Sequence, residues 1–144
     1  MVTEITVRLI LAVPNRVTFL GAFSDDQAAL NAPLALGKLG IRPSIIEYMD
    51  QWTIDCLQKY VGEEVFTGVE PKPMVLIELD GSKESLTKDA ILVEQWLKSD
   101  SMNYKRADDD GESEKLWEVR RQGSSSMKKL ATTKLNEDLS LIHI

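Results

Sequence analysis

The sequence predicts an α+β fold in which helices lie on one face of a ferredoxin-like, mainly antiparallel sheet. β-type runs alternate with helical segments along the 144 residues. Pro14 and Asn15 form a turn signal between the first two β-type runs, which favours an antiparallel pair over a purely parallel sheet. The chain length and the hydrophobic content of 43% suit one globular domain.

The predicted strands of the first half of the chain cover residues 3–11, 16–23 and 43–49, and the predicted helices cover residues 28–39 and 51–61. Ser24 opens a capping-box signature before the first helix, and Gly40 is the signal that ends this helix. Pro33 lies inside the same helix and is expected to kink or shorten it. Asp50 is placed to cap the second helix.

In the second half of the chain, residues 62–73 combine Gly, Pro and mixed charges, which predicts a surface loop with little core of its own. Strands are predicted over residues 74–79 and 102–107, and a helix is predicted over residues 82–98. A further helix follows and carries Leu116, Trp117 and Arg120.

The charge balance narrows the class of partner. The chain carries 17 Lys and Arg residues against 23 Asp and Glu residues, a formal net charge of −6. An acidic chain without a basic cluster is a poor ligand for nucleic acid or anionic lipid, because both require cationic groups that neutralise phosphates. The sequence contains no segment typical of a leader or a membrane span. We therefore expect a cytoplasmic protein whose partner is a small molecule or another protein.

One cysteine and one histidine limit the chemistry of the chain. A single Cys cannot form an internal disulfide, and a single His excludes any site within the chain that needs two histidine ligands. Cys56 lies in a predicted amphipathic helix without a nearby His, so an inert buried thiol is favoured over a nucleophile. Asp108, Asp109 and Asp110 do not follow the ligand order of a calcium loop, so a solvated helix start is favoured over a metal site.

The last predicted helix and the segment after it carry candidate binding groups. Residues 124–126 are three serines after a glycine, which predicts a loop, with a weak anion nest as the alternative. A guanidinium binds a carboxylate through two parallel hydrogen bonds, so Arg120 and Arg121 are candidate clamps for an acidic substrate. The alternative is a surface salt bridge with Glu114 or Glu118.

Five segments of the sequence, taken together, carry a family resemblance. They are VTEITVRL at residues 2–9, RPSIIEYMD at 42–50, VLIELDG at 75–81, LWEVRR at 116–121 and KLNED at 134–138. Their order and spacing resemble the C-terminal (cap) domain of FAD-linked oxidases of the vanillyl-alcohol oxidase type. This group includes D-lactate dehydrogenase, the D subunit of glycolate oxidase and D-2-hydroxyglutarate dehydrogenase.

The resemblance implies separate roles for two domains and a set of substrate-binding residues. In this family a separate N-terminal domain holds FAD, and the cap domain supplies much of the substrate pocket. Arg120 matches the residue that binds the substrate carboxylate in the 2-hydroxyglutarate branch of the family, and Ser124 matches a hydroxyl that this branch carries four positions further on. A third position falls on Lys134 in one alignment and on Asn136 in another. The metal-binding histidines of the family have no match in this sequence, so a divalent metal is expected only in other parts of the parent enzyme.

The resemblance also leads to an expectation about organisation. Residues 1–138 are expected to be a partial cap domain, cut at both ends. Residues 139–144 read LSLIHI, which matches the translation of an adapter used in DNA library preparation, so a non-native tail is expected; a genuine apolar strand end is the alternative. The single histidine, His143, falls in this tail.

Two functions follow as expectations. The first is a fragment of an FAD-dependent oxidoreductase that oxidises a small 2-hydroxy acid of the lactate, glycolate or 2-hydroxyglutarate type by hydride transfer to flavin. Its partners are the substrate and the FAD-binding domain of the same parent protein, and the isolated chain is expected to be inactive. The second is a free-standing ferredoxin-like module that binds a small ligand or associates with itself.

Overall fold

A computed structural model of the chain describes residues 4, 6, 7 and 15–129. Strands and helices alternate through this part, with one short 3-10 helix over Glu63–Phe66. The strands are β1 (Asn15–Ala22), β2 (Ile45–Met49), β3 (Met74–Gly81) and β4 (Asn103–Ala107). The helices are α1 (Asp26–Leu30), α2 (Ala32–Lys38), α3 (Gln51–Tyr60), α4 (Lys83–Asp100) and α5 (Asp110–Met127). Among these described helices, none is both long and apolar enough to cross a membrane.

The strands form a sheet with the order β2-β3-β1-β4, and each neighbouring pair is antiparallel. The central pair runs in register from Asn15 opposite Gly81 to Ala22 opposite Met74. β1, α1–α2, β2, β3, α4 and β4 together make the split β-α-β-β-α-β arrangement of ferredoxin-like folds. The predicted α+β class and antiparallel sheet are therefore confirmed. α3 is inserted between β2 and β3, and α5 follows β4.

Both faces of the sheet are covered, and the prediction of helices on one face is wrong in this respect. One face, here named the α4 face, packs against α2 and α4 through Val17, Phe19, Val75, Ile77, Leu36, Val93 and Leu97. The opposite face, here named the α5 face, packs against α3 and α5 through Leu20, Met74, Leu76, Ile54, Leu57, Leu116 and Val119. The physical reason is that β1 and β3 are apolar on both sides, and such continuous apolar runs must be covered twice.

Side-chain caps set the starts of the longer helices. The Asp50 carboxylate accepts a hydrogen bond from the Thr53 amide at 2.8 Å and begins α3, as predicted. Ser82 begins α4 in the same way. The Asp109 carboxylate accepts from the Glu112 amide at 2.8 Å and begins α5. These caps satisfy amides that have no partner inside the helix.

The predicted helix over residues 28–39 is two helices in the structure. The helix is interrupted at Asn31. Pro33 falls in the first turn of α2, where its missing amide hydrogen costs no hydrogen bond. The predicted shortening is therefore confirmed. The cap of α1 is Asp25 rather than the predicted Ser24, because the Asp25 carboxylate accepts from the Ala28 amide at 2.8 Å.

Two predicted loops differ from the structure. Residues 62–73 contribute Phe66 and Val69 to the core of the α5 face, so the expectation of little core in this segment is wrong. Residues 124–126 continue α5 and do not form a loop. The buried stripe of α5 extends through Gly123 and Ser126, because small residues at helical spacing let the helix pack closely against α3. A Cβ at position 123 would lie 2.9 Å from Cγ2 of Thr53.

Several predictions fall on residues that the structure does not describe. They are the tail over residues 139–144 and most of the strand over residues 3–11, with its pairing to residues 16–23. Of this strand only residues 4, 6 and 7 are described, and none of the three is assigned to a strand.

A polar network on the α4 face links α4 to β4. The Glu94 carboxylate accepts hydrogen bonds from the Tyr104 hydroxyl at 2.9 Å and from Nη1 of Arg106 at 3.0 Å, and it pairs with Nζ of Lys98 at 3.0 Å. Lys98, Tyr104 and Arg106 hold the pKa of Glu94 below its ordinary value of 4.5. The charged form of Glu94 therefore stabilises the folded state.

We expect Glu94→Gln to lower the free energy of unfolding by about 1 kcal/mol at pH 7, where the carboxylate is charged. A pKa that is depressed in the folded state contributes stability above the unfolded value of 4.5, and this stability is lost as the pH falls through the folded value. The difference between the two proteins should therefore vanish at low pH. Urea denaturation between pH 2.5 and pH 7 measures it, with the exposed Glu64→Gln as a control. A difference that is constant across this range would contradict the prediction.

Candidate functional site

One side of α5 crosses three strands of the sheet and makes a polar contact with each. Ser113, Trp117 and Arg120 are spaced by four and three residues, so they lie on the same side of the helix. Ser113 contacts Thr18 of β1, Trp117 contacts Glu78 of β3, and Arg120 contacts Glu47 of β2. We name this diagonal row of contacts the polar row; it follows the strand order β1, β3, β2.

Arg120 lies at the end of the polar row, over β2. Its Nε donates a hydrogen bond to Oε2 of Glu47 at 2.8 Å. The Arg120 and Glu47 side chains are 39% and 34% exposed. An ion pair as exposed as this contributes only about 0–1 kcal/mol to stability. Nη1 and Nη2 of Arg120 make no hydrogen bond or ion pair with any other residue between 15 and 129.

The neighbouring Arg121 behaves differently and matches the salt-bridge alternative. Its Nη2 lies 2.8 Å from the Glu114 carboxylate and 3.0 Å from the Glu118 carboxylate. Its Nε also donates to Glu118. The predicted surface salt bridge with these two glutamates thus belongs to Arg121, whereas Arg120 reaches across to the sheet.

Ser124 follows Arg120 by one helical turn and is half-buried on the same side of α5. The structure therefore brings these two predicted site residues together. Lys134 and Asn136, the alternatives for the third position, lie outside the described residues.

Glu78 is a buried carboxylate in the middle of the polar row, with 8% of its surface exposed. It accepts a hydrogen bond from Nε1 of Trp117 at 2.9 Å and from the hydroxyl of Thr18 at 3.3 Å. The Thr18 hydroxyl lies 2.7 Å from that of Ser113. The network joins β1, β3 and α5, and it fixes the side of α5 that faces the sheet.

The sequence-based predictions missed both Glu78 and Glu47. The available signal was a glutamate flanked on both sides by apolar residues in each of two strands, MVLIELDG and IIEYM. An acidic residue is rarely placed on a buried strand face unless it has partners. What the sequence did not show was which residues those partners are.

The remaining candidates have structural explanations. Cys56 is 3% exposed, and burial, followed by the nearby Asp55, raises the pKa of its thiol, which fits the inert interpretation. The predicted helix start at the aspartate run is confirmed, since Asp109 caps α5 and Asp110 pairs with Arg16 at 2.8 Å. Across the described residues, no group of three or more His, Cys, Asp or Glu side chains is arranged to hold a metal ion.

Two cavities lie away from Arg120. One of about 500 Å³ lies at the start of α5, beside Arg16 and Asp110. The other, of about 650 Å³, lies between α2 and α4 and is lined in part by Leu34 and Trp96. Neither cavity is lined by Arg120 or Ser124.

Comparison with known proteins identifies the family of the chain. The family described as FAD linked oxidases, C-terminal domain, matches residues 13–141 of the chain. The chain belongs to this family. One relative is the glycolate oxidase subunit GlcD of Bacillus subtilis (strain 168), which is 27% identical over 142 residues. The alignment covers 98% of the chain and 30% of that relative, so the chain spans less than a third of its length.

The described part of this FAD-linked oxidase C-terminal domain does not fit the phosphates of FAD. Proteins bind a pyrophosphate at the open amino terminus of a helix, usually after a glycine-rich loop. Here α3 and α5 begin at the carboxylates of Asp50 and Asp109, which occupy those amides and repel an anion, and Ser82 occupies the corresponding amide of α4. These three helix starts therefore offer no free amides of this kind to a pyrophosphate.

Proposed function

We propose that this domain is the substrate-binding part of an FAD-dependent oxidoreductase whose substrate is a small 2-hydroxy acid. The observation that carries the proposal is Arg120, a half-exposed guanidinium that uses Nε for Glu47 and leaves both terminal nitrogens without a partner in the described residues. Two such nitrogens match the two oxygens of a carboxylate. The family of the chain and the name of its glycolate oxidase relative support the choice of substrate class.

Each group has a separate role in this proposal. Arg120 binds and orients the substrate carboxylate, and Ser124 supplies a hydroxyl one turn away. The third contact comes from Lys134 or Asn136. The flavin, which accepts the hydride when it is bound, belongs to a separate FAD-binding domain of the same parent protein. We place the parent protein in the cytoplasm, as expected from the sequence.

The test uses the full-length parent protein and a dye as electron acceptor. Glycolate, D-lactate and D-2-hydroxyglutarate are compared with ethylene glycol and propane-1,2-diol, which keep the alcohol and lack the carboxylate. We expect turnover of at least one acid and none of the diols, because the carboxylate is the group that Arg120 binds. Equal turnover of acids and diols would exclude a carboxylate site. Absence of turnover with every acid would favour the ligand-binding or self-associating module instead.

A further inference from the structure

The way in which Glu47 holds Arg120 differs from the other arginine contacts between residues 15 and 129. Arg16 uses both Nε and Nη2 for Asp110. Arg106 uses all three of its side-chain nitrogens for Asp108 and Glu94. Arg120 gives only its Nε to Glu47. The edge formed by Nη1 and Nη2, which can bind a carboxylate through two parallel bonds, has no partner among residues 15–129.

The two partners are carried by elements that hold them in place. Glu47 lies in the middle of β2, opposite Leu76 of β3, and its side chain points to the α5 face. Arg120 lies on α5 directly after Val119, which is fully buried. Trp117, three residues before Arg120, is bonded to the buried Glu78. A strand ladder and an anchored helix therefore fix both ends of the contact.

A free arginine side chain adopts many rotamers and loses that freedom when it binds a ligand. A contact that restricts the side chain beforehand reduces the loss on binding. Bonding at Nε suits this purpose, because it fixes the plane of the guanidinium without using the terminal edge.

We propose that Glu47 is a positioning residue that holds Arg120 by Nε and so presents its terminal edge to the carboxylate of the substrate. This inference rests on the proposed function. Glu47 does not itself touch the substrate. Its effect is on the orientation of Arg120 before binding, so it acts on KM rather than on the turnover step.

The competing interpretation is that Glu47 is a rival carboxylate that the substrate must displace from Arg120. The two interpretations predict opposite signs. If Glu47 positions Arg120, its removal weakens substrate binding. If Glu47 competes with the substrate, its removal strengthens binding.

The experiment measures kcat and KM of the full-length parent protein for its 2-hydroxy acid. We expect Glu47→Ala to raise KM by about 3- to 10-fold and to change kcat by less than about twofold, because orientation is lost and the reacting groups are untouched. Glu47→Gln keeps an oxygen that accepts from Nε, and we expect it to restore KM to within about twofold of wild type. Glu114→Ala, which removes a partner of Arg121, is the matched control and should leave both constants unchanged.

The outcomes separate this inference from the proposed function. An unchanged or lower KM for Glu47→Ala, in an enzyme where Arg120→Ala raises KM, would overturn the positioning role and leave the proposed function standing. An unchanged KM for Arg120→Ala would overturn both. Circular dichroism and the Tm check that each variant is folded. If Glu47→Ala does not fold, Glu47→Asp gives the same test, because it withdraws the carboxylate from Nε by one methylene while keeping its charge.

Discussion

Arg120→Ala is expected to reduce kcat/KM of the full-length parent enzyme for its 2-hydroxy acid by about 30- to 700-fold. This range corresponds to about 2–4 kcal/mol for the loss of a charge-assisted carboxylate clamp that is shielded from water when the substrate is bound. Steady-state kinetics over a range of substrate concentrations measures it. The effect should fall mainly on KM, because the guanidinium binds a group that does not react.

Arg121→Ala is the control for this prediction. It removes the same guanidinium from the next position of α5, where it pairs with Glu114 and Glu118 at the surface. We expect less than a twofold change in kcat/KM, since exposed pairs of this type contribute little. Equal losses in the two variants would show that the effect of Arg120 comes from helix stability and not from substrate binding.

The second large effect is expected on stability, at the buried Glu78. Glu78→Ala should lower the free energy of unfolding by about 3 kcal/mol, because it leaves the Trp117 indole N–H and the Thr18 hydroxyl without their acceptor and opens a cavity. Both donors face the buried carboxylate in the structure. Urea denaturation at pH 7, followed by circular dichroism, measures the change.

Two further variants identify the cause of the loss at Glu78. Glu78→Gln keeps one acceptor oxygen, so we expect its loss of unfolding free energy to be less than half of the loss in Glu78→Ala. Asp80→Asn changes an exposed acidic residue two positions further along β3 and should be within about 0.5 kcal/mol of wild type. A stability for Glu78→Ala that also lies within this margin would show that the network does not hold α5 on the sheet.

Most elements of the fold follow from local signals in the sequence. The caps at Asp50 and Ser82 act within one helical turn, and the apolar run over β3 identifies a strand without reference to the rest of the chain. The local signal failed for residues 124–126. A glycine before three serines is typical of a loop. Here the packing of α5 against α3 favours small residues, and the helix extends to Met127.

The covering of the second sheet face could be predicted only in part. β1 and β3 do not show the alternation of polar and apolar residues that is typical of a strand with one exposed face. Both strands are apolar on both sides, and this pattern indicates a sheet that is covered on both faces. It does not indicate which helices provide the cover. That depends on α3 and α5 packing together over Leu20 and Leu76, at positions far from them in the sequence.

For the candidate site, the sequence by itself identified the candidate binding residues of α5. The family resemblance names Arg120 and Ser124. Only the structure, in which α5 continues through residues 124–126, places the two on one side of a helix. The tertiary structure alone decided their surroundings. The contacts of the polar row join residues 39 to 95 positions apart, and no local signal spans such distances. Glu78 and Glu47 acquire their partners only because the antiparallel sheet brings β1, β3 and β2 side by side beneath α5, where a buried or half-buried carboxylate must find a donor.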